Sequence, residues 1–221
     1  MTTGWHNAIR GSRVDRAESP PAIRDIGPAP MTEPWPMLEQ WFADAAATDP
    51  AFYNAASLAT ADRDGRPSSR IVLLKRHDRH GLEFFTNNAS RKARDLADRP
   101  DAALCLFWPR HGRQLRIEGP VTATSSERSD AYFASRDRES QIGAWASRQS
   151  EPLADRADLL ARIAAYAEHF DGQQVARPPF WGGYVLRPMS IEFWSDGAAR
   201  LHERREYRRC ADAWTARTLF P

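Results

Sequence analysis

Cysteine is almost missing from this sequence: Cys105 and Cys210 are its only two. They lack metal-motif spacing, and two thiols cannot staple a chain of 221 residues, which excludes a disulfide framework and a zinc ribbon. Cys105 lies in the apolar run ALCLFW, the usual setting of a buried free thiol. A surplus of one charge is missing too. Lys and Arg total 31 against 29 Asp and Glu, a net +2, so no nucleic-acid partner is indicated and any positive site has to be local. No apolar run reaches the ~18 residues that span a bilayer, and the start MTTGWHNAIRGSR has no apolar core of the secretory kind; the expectation is a soluble, cytoplasmic protein with no membrane partner. There is also no Gly-rich phosphate loop, Ser-His-Asp arrangement or carboxylate pair, and no metal site is expected, because His77 and His80 sit in a turn and the other His are scattered. Cations and hydroxyls without an evident nucleophile or base leave the chemistry to a cofactor.

What the chain does contain is a series of short strands. Residues 1–33, with the clusters ESPPA and GPAPMTEP and no apolar period, read as a flexible N-terminal arm, and residues 34–221 as one domain. Leu38, Trp41, Phe42 and Ala45 recur at helical spacing until Asp49-Pro50. AASLATA, the turn DRDG and SSRIVLLKR read as a hairpin; LEFFT, AALCLFW and QLRIEGPVTAT follow, five strands in an antiparallel meander. GGYVL, SIEFW, AARLHERREY and WTARTL close the chain as further strands. Three helices interrupt the strands. One is capped by Ser90, one opens on the capping-box pattern Thr124-x-x-Glu127, and one starts at Ser150 and carries Leu153, Leu160, Ile163, Ala167 and Phe170. DRESQIGAW lacks periodicity and reads as an ordered loop. Many short strands with few helices favour an antiparallel barrel in a mainly β, α+β chain.

Several groups could carry chemistry. In a strand, alternation would put Arg200, His202 and Arg204 of RLHER on one face, either a ligand surface or a solvated edge. Arg70-Ile-Val-Leu-Leu-Lys75 is an apolar run bounded by cations; both of its faces need cover, and the cations serve either a ligand or solvent. Ser90-Arg91-Lys92 puts two cations at a helix start, a local conflict that a bound phosphate would resolve. Tyr132, Arg136 and Ser140, four apart, form either a clamp for a second phosphate or a solvated face, provided the helix continues.

The strings SSRIVLLK, SRKA, RESQIGAWASRQS, FWGGY, IEFW and RLHER, in this order from about residue 36 to Pro221, resemble the pyridoxine/pyridoxamine 5′-phosphate oxidase family. The resemblance implies an FMN-binding split barrel, an antiparallel six- to eight-stranded β-barrel with flanking helices, in a homodimer with FMN sites at the subunit interface. It implies FMN contacts from Arg70, Ile71, Val72, Leu73, Leu74, Lys75, Phe85, Thr86, Ser90, Arg91, Lys92, Gln114, Gln149, Ser150, Trp194 and Arg204. The substrate phosphate would be held by Lys75, Tyr132, Arg136 and Ser140, and its ring met by Arg200, Leu201 and His202, with Arg200 and His202 as the catalytic pair. The implied reaction is oxidation of pyridoxine 5′-phosphate or pyridoxamine 5′-phosphate to pyridoxal 5′-phosphate, with O2 as acceptor and H2O2 as product. Two departures stand out: no Tyr precedes Tyr53, where the family carries an Arg and a Tyr in its arm, and Phe85 replaces a family Tyr, a loss of about 0.5–1.5 kcal/mol for one hydrogen bond. Alternative readings are a flavin oxidase of the phenazine-biosynthesis type acting on an unphosphorylated ring, which would leave the Tyr132 clamp unpaired, and a non-catalytic flavin-binding protein.

Overall fold

Alternation of apolar and polar side chains sets the sheet. The computed structural model describes residues 32–221; the expected arm lies outside the described residues except for its last two positions. Ten strands occur among the described residues: β1 (Ala55–Ala61), β2 (Pro67–Leu73), β3 (Arg76–Asp78), β4 (Gly81–Asn87), β5 (Asp101–Trp108), β6 (Arg113–Ala123), β7 (Trp181–Leu186), β8 (Ser190–Ser195), β9 (Glu203–Cys210) and β10 (Ala213–Leu219). Seven run in the order β10-β9-β8-β6-β5-β1-β2, while β4 pairs with β3 and β7, and β7 returns to β6. Every pairing is antiparallel. The simple meander is therefore corrected: β1 pairs with β5 across the chain, and β4 leaves for β7.

The split occurs inside β6. Residues 113–118 pair with β8, and residues 121–123 with β7. Gly119 stands between, where a Cβ would overlap the Arg187 carbonyl oxygen, and Pro120 supplies no N–H to a ladder, so the strand can change partners there.

One face of the sheet is core. Leu58, Leu104, Ile117, Ile191 and Tyr207 are in register across β1, β5, β6, β8 and β9, and all are buried. Each such apolar side chain contributes on the order of 1.5–3 kcal/mol. Helix α1 (Trp35–Thr48) covers this layer with Leu38, Trp41, Phe42 and Ala45, as its spacing predicts. Trp41 meets Phe193 edge-on at 5.0 Å, and Phe42 stacks on His77 of β3 at 3.7 Å, so His77 is a core-facing strand residue rather than part of a turn. The opposite row, Ile71, Ser57, Cys105, Arg116, Glu192, Glu206 and Arg217, forms the outer face.

The helices depart from the sequence reading in four places. α2 (Arg91–Asp98) begins where expected, but no Ser90 side-chain cap forms; the Ser90 hydroxyl accepts from Lys92 Nζ at 3.3 Å. α3 (Ser126–Ala134) is capped by Ser125, not Thr124: its hydroxyl accepts from Arg128 N at 3.2 Å. α4 (Arg138–Ala146) occupies the stretch read as a loop, because Asp137 accepts the Ser140 amide at 2.7 Å and starts a new helix there. α5 (Arg156–His169) is capped by Asp155, five residues past the expected start at Ser150, so Leu153 falls outside the helix and, like Leu160, is exposed; only the Ile163, Tyr166 and Ala167 side packs against a neighbouring cluster.

Candidate active site

A cleft of about 790 Å³ opens between the end of β2, β4, the start of α2, and the α3–α4 corner. Of the residues singled out in the sequence, Ile71, Val72, Leu73, Lys75, Phe85, Thr86, Lys92, Tyr132, Arg136, Ser140 and Gln149 line it. The string FWGGY explains part of its floor. Gly183 lies opposite Phe85 in the β4–β7 register, and a Cβ at Gly183 would overlap the Phe85 ring, so glycine lets that ring lie flat. Phe85 then stacks on Tyr132, at 4.2 Å, and on Trp181, at 5.4 Å, and those two rings stand 6.1 Å from each other.

One end of the cleft is cationic. Lys92 is buried, and its Nζ donates to Thr86 Oγ1 at 3.0 Å and Gln149 Oε1 at 3.2 Å. Burial, with Arg70 as the second cause, pushes Lys92 down to about 8. Arg91 N donates to Ser150 Oγ at 3.1 Å, so the 149–150 loop, with Ser150 at φ 77°, is tied to the start of α2. Arg70 sits behind this wall: it donates to Thr60 Oγ1 at 2.6 Å and to Ser68, and lies 3.7 Å from buried Asp95. Arg70, Leu74, Ser90, Arg91 and Ser150 support the cleft without lining it.

The other end holds the Tyr132 group. Helix α3 stops at Ala134 and α4 starts at Arg138, so the three residues do not share one continuous helix face; a corner brings them to the same cleft instead. Arg136 Nη1 is buried with no hydrogen-bond partner among the described residues, and burial pushes the Arg136 pKa down. Lys75 Nζ stands 5.6 Å over the Tyr132 ring. Arg128 fixes α3 to β4 by a two-pronged contact with fully buried Glu83, the closest approach being 2.7 Å. The sequence reading assigned no role to Trp181, Asn87, Ser135, Asp137 or Ser147, which also line the cleft.

The remaining predicted residues lie elsewhere on the chain. Gln114, Trp194 and Arg204 stand in cross-strand register on β6, β8 and β9. Arg200, Leu201 and His202 precede β9 and are not in a strand: Ala199 and Arg200 have φ of 54° and 64°, and Gly197 packs against the Leu201 carbonyl. The expected alternating face of Arg200, His202 and Arg204 is thus corrected to a tight turn entering β9. His202 Nδ1 accepts from Gly197 N at 3.2 Å, lies 3.0 Å from Asp196 Oδ1, and its ring is 4.6 Å from Trp194. Arg204 is held by Glu192 through contacts of 2.8 and 3.1 Å. β2 ends the seven-strand path and β8 is four strands away along the sheet, and none of Gln114, Trp194, Arg200, Leu201, His202 and Arg204 lines the cleft. The expected cover on both faces of β2 is also missing among the described residues: Val72 and Leu74 are buried, but Ile71 is 65% and Leu73 42% exposed, next to the outer face where Phe107 is 58% exposed.

The chain is similar to proteins whose names bear on this geometry. The family model described as pyridoxamine 5′-phosphate oxidase matches residues 46–170, and that of the pyridoxine 5′-phosphate oxidase C-terminal dimerisation region matches residues 181–221. A pyridoxine/pyridoxamine 5′-phosphate oxidase of Anaeromyxobacter dehalogenans is 50% identical over 196 residues, 89% of this chain and 99% of that one. Another, of Rubrobacter xylanophilus, is 48% identical over the whole of both chains. Among solved structures, PhzG from Burkholderia lata, in complex with tetrahydrophenazine-1-carboxylic acid, has a TM-score of 0.81 and 34% identity over 87% of this chain and 94% of that one. A pyridoxamine 5′-phosphate oxidase-related, FMN binding protein from Nostoc punctiforme shares the fold at a TM-score of 0.68 and 19% identity, covering 89% of this chain and all of the other. With both halves of the cleft-bearing chain matched in order, the protein belongs to the pyridoxine/pyridoxamine 5′-phosphate oxidase family and is an oxidoreductase of the split-barrel fold.

Proposed function

We infer that the protein oxidises pyridoxine 5′-phosphate and pyridoxamine 5′-phosphate to pyridoxal 5′-phosphate with FMN as cofactor. The observation that carries this reading is the pair of cationic groups in one cleft, the buried Nη1 of Arg136, which has no partner among the described residues, and the buried Lys92. A buried guanidinium nitrogen without a partner costs free energy that a phosphate oxygen would recover. The residues therefore fit two phosphoryl groups, one on the cofactor and one on the substrate. Lys92, Thr86, Gln149, Arg91 and Ser150 would hold the FMN phosphate, with Arg70 behind them, and exposed Ile71 and Leu73 would give its ring an apolar seat. When bound, FMN supplies the electron acceptor for the C4′ carbon, and O2 takes the electrons on as H2O2.

The protein's own part is binding and orientation, which can supply most of the rate when the reacting centres are held in contact. Lys75, Tyr132, Arg136 and Ser140 hold the substrate phosphate at one end of the cleft. Arg200 and His202 address its ring from the turn before β9, with Asp196 and Gly197 fixing the imidazole. Within one chain Arg200 and His202 do not line the cleft that holds the Tyr132 group. Two-fold pairing of the open outer faces would lay Gln114, Trp194, Arg200, His202 and Arg204 of one subunit against the cleft of the other, covering Ile71 and Leu73. The match of residues 181–221 to a dimerisation region supports this homodimer.

The 34% identity to PhzG gives the second reading, oxidation of a larger unphosphorylated ring. Purified protein loaded with FMN and given pyridoxine 5′-phosphate or pyridoxamine 5′-phosphate should release stoichiometric H2O2, with ammonia from the amine. Turnover of tetrahydrophenazine-1-carboxylic acid but of neither vitamer would select the second reading, and inertness toward all three would leave a flavin-binding protein. Arg200→Ala should lower turnover far more than FMN affinity; equal losses would contradict the division of roles.

A further inference from the structure

We propose that Trp181 is the positioning residue that sets selectivity for a phosphorylated substrate, by holding the Arg136 guanidinium in the cleft. The guanidinium carbon lies 5.0 Å from the Trp181 ring centroid and 5.5 Å from that of Phe133, and among the described residues no hydrogen bond fixes its buried Nη1. Arg136 therefore owes its place to the faces of two aromatic rings. Cation–π attraction is strongest over an indole and grows when the cation is desolvated, as here.

The indole is itself held rigidly. Trp181 N donates to Pro178 O at 3.1 Å, Arg177 donates to Trp181 O at 2.6 Å, and the side chain is buried with Phe133 edge-on at 5.1 Å. Phe85 is also a neighbour, stacked at 5.4 Å with an interplanar angle of 12°, and Tyr132 stacks on Phe85 in turn. Trp181 thus sits where a single ring orders two members of the clamp, Arg136 and Tyr132, the second both directly, at 6.1 Å, and through Phe85. Phenylalanine at position 85 adds no hydroxyl to this ring cluster, so the orientation of Arg136 and Tyr132 depends on ring contact.

This proposal rests on the reading that Arg136 clamps a substrate phosphate. The test compares FMN-loaded wild type, Trp181→Leu and Trp181→Phe on pyridoxine 5′-phosphate and on pyridoxine, with KM and kcat measured separately. Trp181→Leu should raise KM for the phosphorylated substrate about 3- to 30-fold, the rise falling in KM rather than kcat, and leave KM for pyridoxine within about twofold. Trp181→Phe, which keeps a ring face, should give a smaller rise in the same direction and serves if the leucine variant does not fold. In an Arg136→Ala background the second substitution should add less than about twofold, since the two act as a unit. Equal losses on both substrates, unchanged selectivity, or a full additional loss in the Arg136→Ala background would each overturn the role of Trp181. A wild type that does not distinguish pyridoxine 5′-phosphate from pyridoxine would instead overturn the functional reading beneath it.

Discussion

With Lys92 against the phosphate of FMN, as proposed, cofactor binding should depend on pH in a definite direction. Burial, and then the Arg70 charge, hold its pKa at about 8 instead of the usual 10.5. The charged form is disfavoured in the ligand-free fold by about 3 kcal/mol. A phosphate dianion beside Nζ reverses that penalty, so FMN binds best when Lys92 carries its proton. Below pH 8 the proton is already present and affinity should be flat. Above pH 8 binding must take up a proton, and affinity should fall about tenfold per pH unit until the pKa of the bound state is reached. The stability of the ligand-free protein moves the other way: between about 8 and 10.5 the unfolded chain keeps a proton that the folded one has lost, so this group's contribution to stability rises with pH. Titrating the FMN-free protein with FMN from pH 6.5 to 9.5, by quenching of flavin fluorescence, measures the slope. Riboflavin, which has the ring without the phosphate, corrects for any titration of the ring. Lys92→Met should bind FMN more weakly below pH 8 and flatten the profile above it. A flat wild-type profile, or the same slope in Lys92→Met, would refute the placement of Lys92 against the phosphate.

Two further predictions concern what supports the cleft. Asp95 is buried and accepts from Thr60 and Ser68 at 2.6 and 3.1 Å while facing Arg70, so Asp95→Ala leaves a half-buried guanidinium and two hydroxyls without their acceptor. It should cost about 3 kcal/mol in urea-induced unfolding, and a loss under 1 kcal/mol would show that solvent replaces the carboxylate. Gly119→Ala forces a methyl group into the Arg187 carbonyl at the point where β6 changes partners. A loss of about 2 kcal/mol or more is expected in the same assay, and a near-neutral result would mean that the split is not constrained there.

The strands and α1 were legible because their side chains follow the period of the element and meet a core, as Leu58, Leu104 and Ile117 do. β3 was missed because three residues carry no period, and α4 because its polar face hides the pattern; its start lies in one contact, the Asp137 carboxylate on the Ser140 amide. The same contact broke the helix assumed to align Tyr132, Arg136 and Ser140, yet the corner still brings all three to the cleft. The turn before β9 was hidden for another reason. RLHER alternates like a strand, whereas the positive φ of Ala199 and Arg200 follows from Gly197 packing on a backbone carbonyl, a contact that spacing cannot reveal. Trp181 went without a role because the cation over its ring belongs to a residue 45 positions earlier, at Arg136.

Subunit complementation tests the shared site most directly. Arg136→Ala damages the cleft, and Arg200→Ala damages the turn that is to reach across from the other subunit. Each variant alone should be nearly inactive. If the two groups meet across a two-fold interface, unfolding and refolding an equal mixture gives about half mixed dimers, each with one site free of both substitutions, and about a quarter of wild-type H2O2 production should return. Recovery no greater than the sum of the two variants alone would contradict a site built from both chains.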